Sequence, residues 1–423
     1  MGKISGYAAN AVPGDSFELI GTDPANTSMA ASGTTETVSV LALLNDQAPA
    51  RMHGLRGAGG ITKTMAALAQ ADKQLVSIPW IGDSLTAGHG TDGFAAGWAE
   101  RLALGLRWKY ARSATGGLGF IPLYYSSTGT TYTWPVVPAT GTNPADYQGA
   151  DVGPVRNAME TYGTCTFTYT APAGCTSVKI MYFDVNTAGV FSYKVGSGAA
   201  TNVSNTATGA EILTADIPLT AGQVLTIAWV SGVAVVDGIF QFSGDESAGV
   251  QVSPCGNIGW NASTGADGWN AAEPNGFDWM QCYAKFPGVV PAIGIMLGAN
   301  DATTYTASQF QANLQNFITA LRADTSIAAL NNSTGVDILL GIEPDPTGTQ
   351  TITDAGGWPA YVAASRAIAV ANAHTAVFDF GYRLAGPATD IDGLYNTTTA
   401  PDHWNDAGAA LAGAAGAALL GAA

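Results

Sequence analysis

An α/β fold built on a parallel sheet is what this chain of 423 residues predicts, and three observations predict it. Continuous apolar runs recur at residues 75–81, 293–297, 336–342 and 376–380, the pattern of strands buried on both faces. Between the later runs lie stretches of helical spacing, most clearly Phe310, Leu314, Phe317, Ile318 and Leu321. Strand and helix therefore alternate, which calls for a parallel sheet with helices on its two faces.

Each element has its own local signal. Residues 1–48 carry two apolar stretches, 16–22 and 35–44, around a Thr/Ser-rich middle, and are expected as a small β-rich N-terminal segment. Residues 49–74 read as a linker with a short helix over 62–70. The first buried strand, 75–81, leads into Gly82-Asp83-Ser84, and a helix is expected over 95–106. A short strand at 108–110 would precede the glycine-rich Gly116-Gly117-Leu118-Gly119-Phe120. From 150 to 248 the chain turns to short alternating runs at 165–169, 178–183, 190–195, 224–230 and 233–242, the pattern of an inserted β-sandwich. The core, 75–149, then resumes over 249–423. Thr306 and Gln309 form a capping box ahead of the stripe of apolar residues, which is core packing. Pro359 suits the first turn of a helix over 359–373, and the Ala-rich residues 407–423 form a docked terminal helix.

Composition narrows the function. Charged residues are only 11% and the formal net charge is -16, which excludes the basic stripe of a nucleic-acid binder. No apolar run is long enough to span a membrane, and the first residues lead into no secretory signal. Cys165 and Cys175 flank a hairpin and either pair or stay free, like Cys255 and Cys282; no metal-ligand spacing appears and no cofactor is expected.

Three strings carry chemistry. Ser84 stands just past the carboxyl end of a buried strand, where open α/β sheets place their ligands. Gly298-Ala299-Asn300-Asp301 closes a second such strand, and Asp402-His403-Trp404-Asn405-Asp406-Ala407-Gly408 opens the last helix. A serine hydroxyl needs a base to take its proton, and a tetrahedral oxyanion needs donors fixed in advance. Of His53, His89, His374 and His403, only His403 stands in a late His-x-Asn-x-x-Gly setting.

Ser, then Gly-x-Asn-Asp, then a late His, in that order, resembles the SGNH (GDSL-type) hydrolase superfamily. The resemblance implies a flavodoxin-like parallel sheet, Ser84 as nucleophile, His403 as base, and an oxyanion hole of the Ser84 amide, a glycine amide and the Asn300 side chain. For the glycine, Asn257-Ile258-Gly259 with Ala262-Ser263-Thr264 behind it favours Gly259, then Gly256; residues 116–120 compete. The family places its acid three residues before the histidine, and that position is Ala400. Asp402 is assigned instead, with Asp390, Asp392 or a backbone carbonyl as alternatives, and a weakened site is one outcome of that departure. The insert at 150–248 resembles the carbohydrate-binding-like insert of some bacterial members.

Residues 1–48 resemble the N-terminal segment of phage tail and tail-fibre proteins, on Lys3-Ile4-Ser5, a strand led by Asp15, and Thr35, Val38 and Leu43. The combined expectation is a tail-borne serine esterase that deacetylates host surface polysaccharide, contacts other tail proteins and assembles as a homotrimer. A free bacterial carbohydrate or lipid esterase and a non-catalytic adhesion protein are the alternatives.

Overall fold

The structure is a computed structural model. It describes residues 18–21, 36–39 and 60–421, apart from 92–95, 114, 124–138, 141–143, 147–151, 157, 162–165, 186–188, 266–267, 272–277, 385, 387–392 and 397–402. Two N-terminal strands, β1 (Glu18–Gly21) and β2 (Glu36–Ser39), pair antiparallel; the rest of the expected 1–48 segment lies outside the described residues. Along the chain come β3 (Leu75–Gly82), β4 (Gly116–Pro122), β5 (Cys175–Phe183), β6 (Ala234–Ser243), β7 (Gly249–Gly256), β8 (Ala292–Met296), β9 (Asp337–Ile342) and β10 (Thr375–Asp379).

Five of these lie side by side as β7-β3-β8-β9-β10, every pair parallel. Numbered by their place in the chain, that is the order 2-1-3-4-5 of a flavodoxin-like doubly wound sheet. All eight residues of β3 and all of β8 and β9 are buried, which is why these strands read as largely apolar runs. Helices cover both faces. On one face α1 (Thr62–Leu68), α3 (Trp98–Leu106) and the terminal α7 (Asp406–Gly421) bring Leu68, Trp98, Leu102, Ala412 and Leu420 against Trp80 and Phe378. On the other, α5 (Ala307–Ala323) and α6 (Trp358–Ala371) bury Phe310, Leu314, Phe317, Tyr361 and Ile368 against Ile293 and Ile338. The capping box at Thr306 and Gln309 is present, and Pro359 stands in the first turn of α6.

Beyond β7 the sheet changes character. It meets β4 in parallel at Val250 and Gly116 alone; β4 then pairs antiparallel with β6, and β6 with β5. A separate five-stranded sheet, running through Thr166–Thr170, Val190–Val195 and Val224–Ser231, packs on this antiparallel portion around Phe167, Ile180, Phe191, Leu225 and Ile239. The antiparallel layer thus shares one sheet with the parallel core, while the five-stranded layer is a sheet of its own.

Two local expectations are corrected. Residues 108–110 are not a strand but part of a π-helical turn, Arg107–Ala111, that continues α3. Arg107 is buried there and holds both oxygens of Glu100 at 2.6 Å, an anchor that keeps the chain wound. Gly116 to Gly119 lie inside strand β4 rather than in a turn, so they stand in the sheet and not at a loop. Cys175, Cys255 and Cys282 are buried free thiols, so Cys175 forms no bridge; Cys165 lies outside the described residues. Among the described residues no helix is long and apolar enough to cross a membrane.

Candidate active site

The sheet order reverses around β3, the first strand laid down, with β7 on one side and β8 on the other. Chains leaving β3 and its neighbours turn to opposite faces, and the crevice at their carboxyl ends is where such sheets bind ligands. Gly82 ends β3 with no room for a side chain, since a Cβ would come 2.6 Å from the Met296 carbonyl oxygen. Asp83 then caps the short turn α2 (Ser84–Ala87), its Oδ1 accepting the Leu85 amide at 2.9 Å. Ser84 opens that turn at 8% exposure.

His403 arrives from the far end of the chain. Trp404 beside it is buried against Phe380, and Asn405 caps α7 by accepting the Ala407 and Gly408 amides at 2.9 and 3.1 Å. This is the physical content of the His-x-Asn-x-x-Gly string: a buried anchor and a helix cap fix the loop that holds the imidazole. The result is a contact of 2.6 Å between His403 Nε2 and Ser84 Oγ, across 319 residues of sequence. The ring of His89 meets that of His403 edge to face at 4.6 Å. Asp402, the acid assigned to orient the ring, lies outside the described residues, as do Asp390, Asp392 and Ala400.

Asn300 lies in the first turn of α4 (Ala299–Thr304), which starts at the end of β8. Its side-chain nitrogen donates to Asp83 Oδ2 at 2.9 Å and to the Trp260 carbonyl at 3.1 Å. Both amide hydrogens are therefore engaged, and the two acceptors fix which way the amide faces. Gly259 sits one residue before Trp260 on the loop after β7, exposed and with φ of 82°. It does not line the cleft. Gly256, the second choice for the oxyanion glycine, is a packing glycine: a Cβ there would stand 2.3 Å from the Asp83 carbonyl oxygen.

The cleft itself is lined by Asp83, Ser84, Leu85, Ala299, Asn300, Pro344, Pro346, Gln350 and His403. Ser84, Asn300 and His403 are brought together. Sequence reasoning missed His89, Gln350 and three carboxyls beneath the cleft. Asp83 and Asp301 are buried, Asp301 accepting the Ala262 amide at 3.1 Å, and Glu343 accepts the Ala299 amide at 2.6 Å. Burial pushes the Asp301 carboxyl up to about 7, helped by the charge of Asp83 and opposed by the Ala262 amide. Glu343 is driven well above the usual carboxylate range, first by burial and then by Asp83. Among the described residues no group of three or more His, Cys, Asp or Glu side chains is arranged to hold a metal ion.

No family model matches the chain, and no curated protein matches it. Among solved structures it is similar to the salicylyl-acyltransferase SsfX3 of a tetracycline biosynthetic pathway, at 14% identity over 62% of this chain and 81% of that one, with a TM-score of 0.27. It is similar to a family two carbohydrate esterase from Clostridium thermocellum at 13% identity, over 66% and 97% of the two chains and a TM-score of 0.27. A family two carbohydrate esterase from Cellvibrio japonicus is similar at 12% identity, 60% and 88% coverage and a TM-score of 0.23. At such TM-scores these likenesses carry no argument about this chain, and its chemistry rests on the geometry of its own residues.

Proposed function

We propose that this protein is a serine ester hydrolase. The observation that carries the reading is the 2.6 Å contact between Ser84 Oγ and His403 Nε2 at the switch point of a parallel sheet. His403 takes the hydroxyl proton as Ser84 attacks the ester carbonyl, then returns it to the leaving alcohol. Water repeats the sequence on the acyl-serine and releases the acid. The Ser84 amide holds the oxyanion together with Asn300, whose hydrogen on the neutral Trp260 carbonyl is the one that turns to it, leaving the Asp83 bond in place. Gly259 completes the hole if its loop closes over the bound ester, and Asp402 orients His403 from the adjacent position.

The substrate class is an acyl ester of surface polysaccharide, acetyl first. This finer reading, and the placing of the protein on a phage tail as a homotrimer beside other tail proteins, extends the resemblances of Ser84–Asn300–His403 and of residues 1–48. Hydrolysis of p-nitrophenyl acetate by wild type, Ser84→Ala and His403→Ala tests the reaction, with acetate release from an O-acetylated polysaccharide as the test of substrate. Equal background rates for all three proteins would end the esterase reading. The engaged Asn300 amide, together with alanine at position 400, favours one alternative: an adhesion protein whose binding is unchanged by Ser84→Ala.

A further inference from the structure

The carboxyls beneath the cleft are arranged around one proton. Asp83 is 1% exposed and Glu343 0%. The two side chains stand close enough to hydrogen-bond, and two bare carboxylates cannot do so, because neither has a donor. Two negative charges at such range in a water-excluded site also repel strongly. The hydrogen-bond pattern decides where the proton sits. Asp83 accepts twice, from the Leu85 amide on Oδ1 and from Asn300 on Oδ2, so its negative charge is well used. Glu343 accepts once, from the Ala299 amide on Oε2, while its buried Oε1 meets no donor. Asp301, also buried and itself tied to the Ala262 amide, adds its charge at Glu343.

These bonds reach the parts of the proposed oxyanion hole. Asp83 holds both the turn that begins at Ser84 and the side chain of Asn300. Glu343 holds the backbone at Ala299, immediately before Asn300. We propose that Glu343 is a positioning residue of the Ser84 site: as a neutral acid it donates to Asp83 and accepts from Ala299, so that one shared proton fixes Asn300 relative to Ser84. This rests on the esterase reading for its effect on turnover, though not for the proton itself. Glutamine at 343 reproduces the pattern, with an amide donor towards Asp83 and a carbonyl acceptor for Ala299. Alanine removes both and leaves Asp83 braced from one side only.

The test uses the full chain as wild type, Glu343→Gln and Glu343→Ala. Kinetics on p-nitrophenyl acetate at pH 7 should show kcat within about threefold for Glu343→Gln and lower by about tenfold to a hundredfold for Glu343→Ala, with KM little changed in both. Infrared difference spectra of wild type against Glu343→Gln, which needs no activity and no Glu343→Ala protein, should show a neutral carboxylic C=O band lost in the variant. A missing band overturns the shared proton. A Glu343→Ala protein that folds and turns over like wild type, or a Glu343→Gln protein that falls as far as Glu343→Ala, overturns the positioning role. Absence of turnover in wild type overturns the esterase reading and the positioning role with it, while the infrared band still decides the proton.

Discussion

Two pairs of buried carboxyls among the described residues invite comparison, and one of them adjoins the Ser84 hydroxyl. Asp83 and Glu343 lie under the Ser84 cleft, where their partners are the Leu85 and Ala299 amides and the Asn300 side chain. Glu211 and Asp237 lie in the antiparallel part of the sheet, at 2% and 1% exposure, with Glu211 accepting the Gly153 amide at 3.0 Å. Burial pushes Glu211 up to about 7 and holds Asp237 well above the carboxylate range, with the charge of Glu211 adding to the latter. Glu343 and Glu211 are alike in that burial is the first cause raising each of them. What differs is the neighbourhood, since no residue of the second pair lines the cleft. A displaced pKa therefore marks a buried acid, and the hydroxyl and imidazole beside it mark a candidate site.

The largest effect expected on this contrast comes from the cleft. Ser84→Ala and His403→Ala should each lower kcat/KM on p-nitrophenyl acetate by about a thousandfold or more, and the double variant should fall little further because the two act as a unit. A double variant far below either single one would break the pairing. Next, Asn300→Ala should lower kcat by about a hundred- to a thousandfold, the usual cost of one oxyanion donor. A loss confined to KM would instead leave Asn300 as a structural link between Asp83 and Trp260.

The second acid pair should move stability and leave chemistry alone. Glu211→Gln should keep turnover within about twofold of wild type, because electrostatic effects on a reaction fade with distance and screening. Its mark is on the pH dependence of the melting temperature. Glu211 titrates near 7 when folded and lower when unfolded, so the folded state binds the extra proton in between. Stability from this group is complete below the unfolded pKa and is lost as pH rises through about 7. Glu100 and Asp301, raised to about 7 mainly by burial, act with the same sign. Wild type should thus melt lower at pH 8 than at pH 5.5, and Glu211→Gln should flatten the slope. An unchanged slope would show that Glu211 does not set it.

The smallest effect belongs to a partly exposed charge cluster at strand β5, where Lys179 lies 2.7 Å from Asp216 and 3.4 Å from Glu246. Lys179→Ala should change unfolding free energy by less than about 1 kcal/mol, since partly solvated pairs contribute little. Chemical denaturation checks this, and a larger loss would show that charge on β5 matters beyond the buried pair.

Much of this architecture was legible because its signals are local. Largely apolar runs located β3, β8, β9 and β10, and helical spacing located α5, since burial on two faces or one leaves its period in the sequence. Ser84, Asn300 and His403 were legible by residue type and order. Glu343 was not, because Glu343-Pro344-Asp345-Pro346 reads as a polar exit from a strand. It is buried only because loops from β3, β8 and β9 converge on it. Gly116 to Gly119 read as a turn for a similar reason. Their amides are taken by neighbours distant in sequence, with Leu118 bonded to the Gln241 side chain and Phe120 to that of Ser253. The joining of the β-rich strands to the core sheet depends on partners that no short window contains.

The 319 residues that separate Ser84 from His403 also order events in time. A chain made from its N-terminus at about 5–20 residues per second exposes the serine on the order of tens of seconds before the histidine exists. During that interval the hydroxyl has no base and is as inert as any surface alcohol. The contact between the two side chains then arises in one late step, when Trp404 seats against Phe380 and α7 packs against α3.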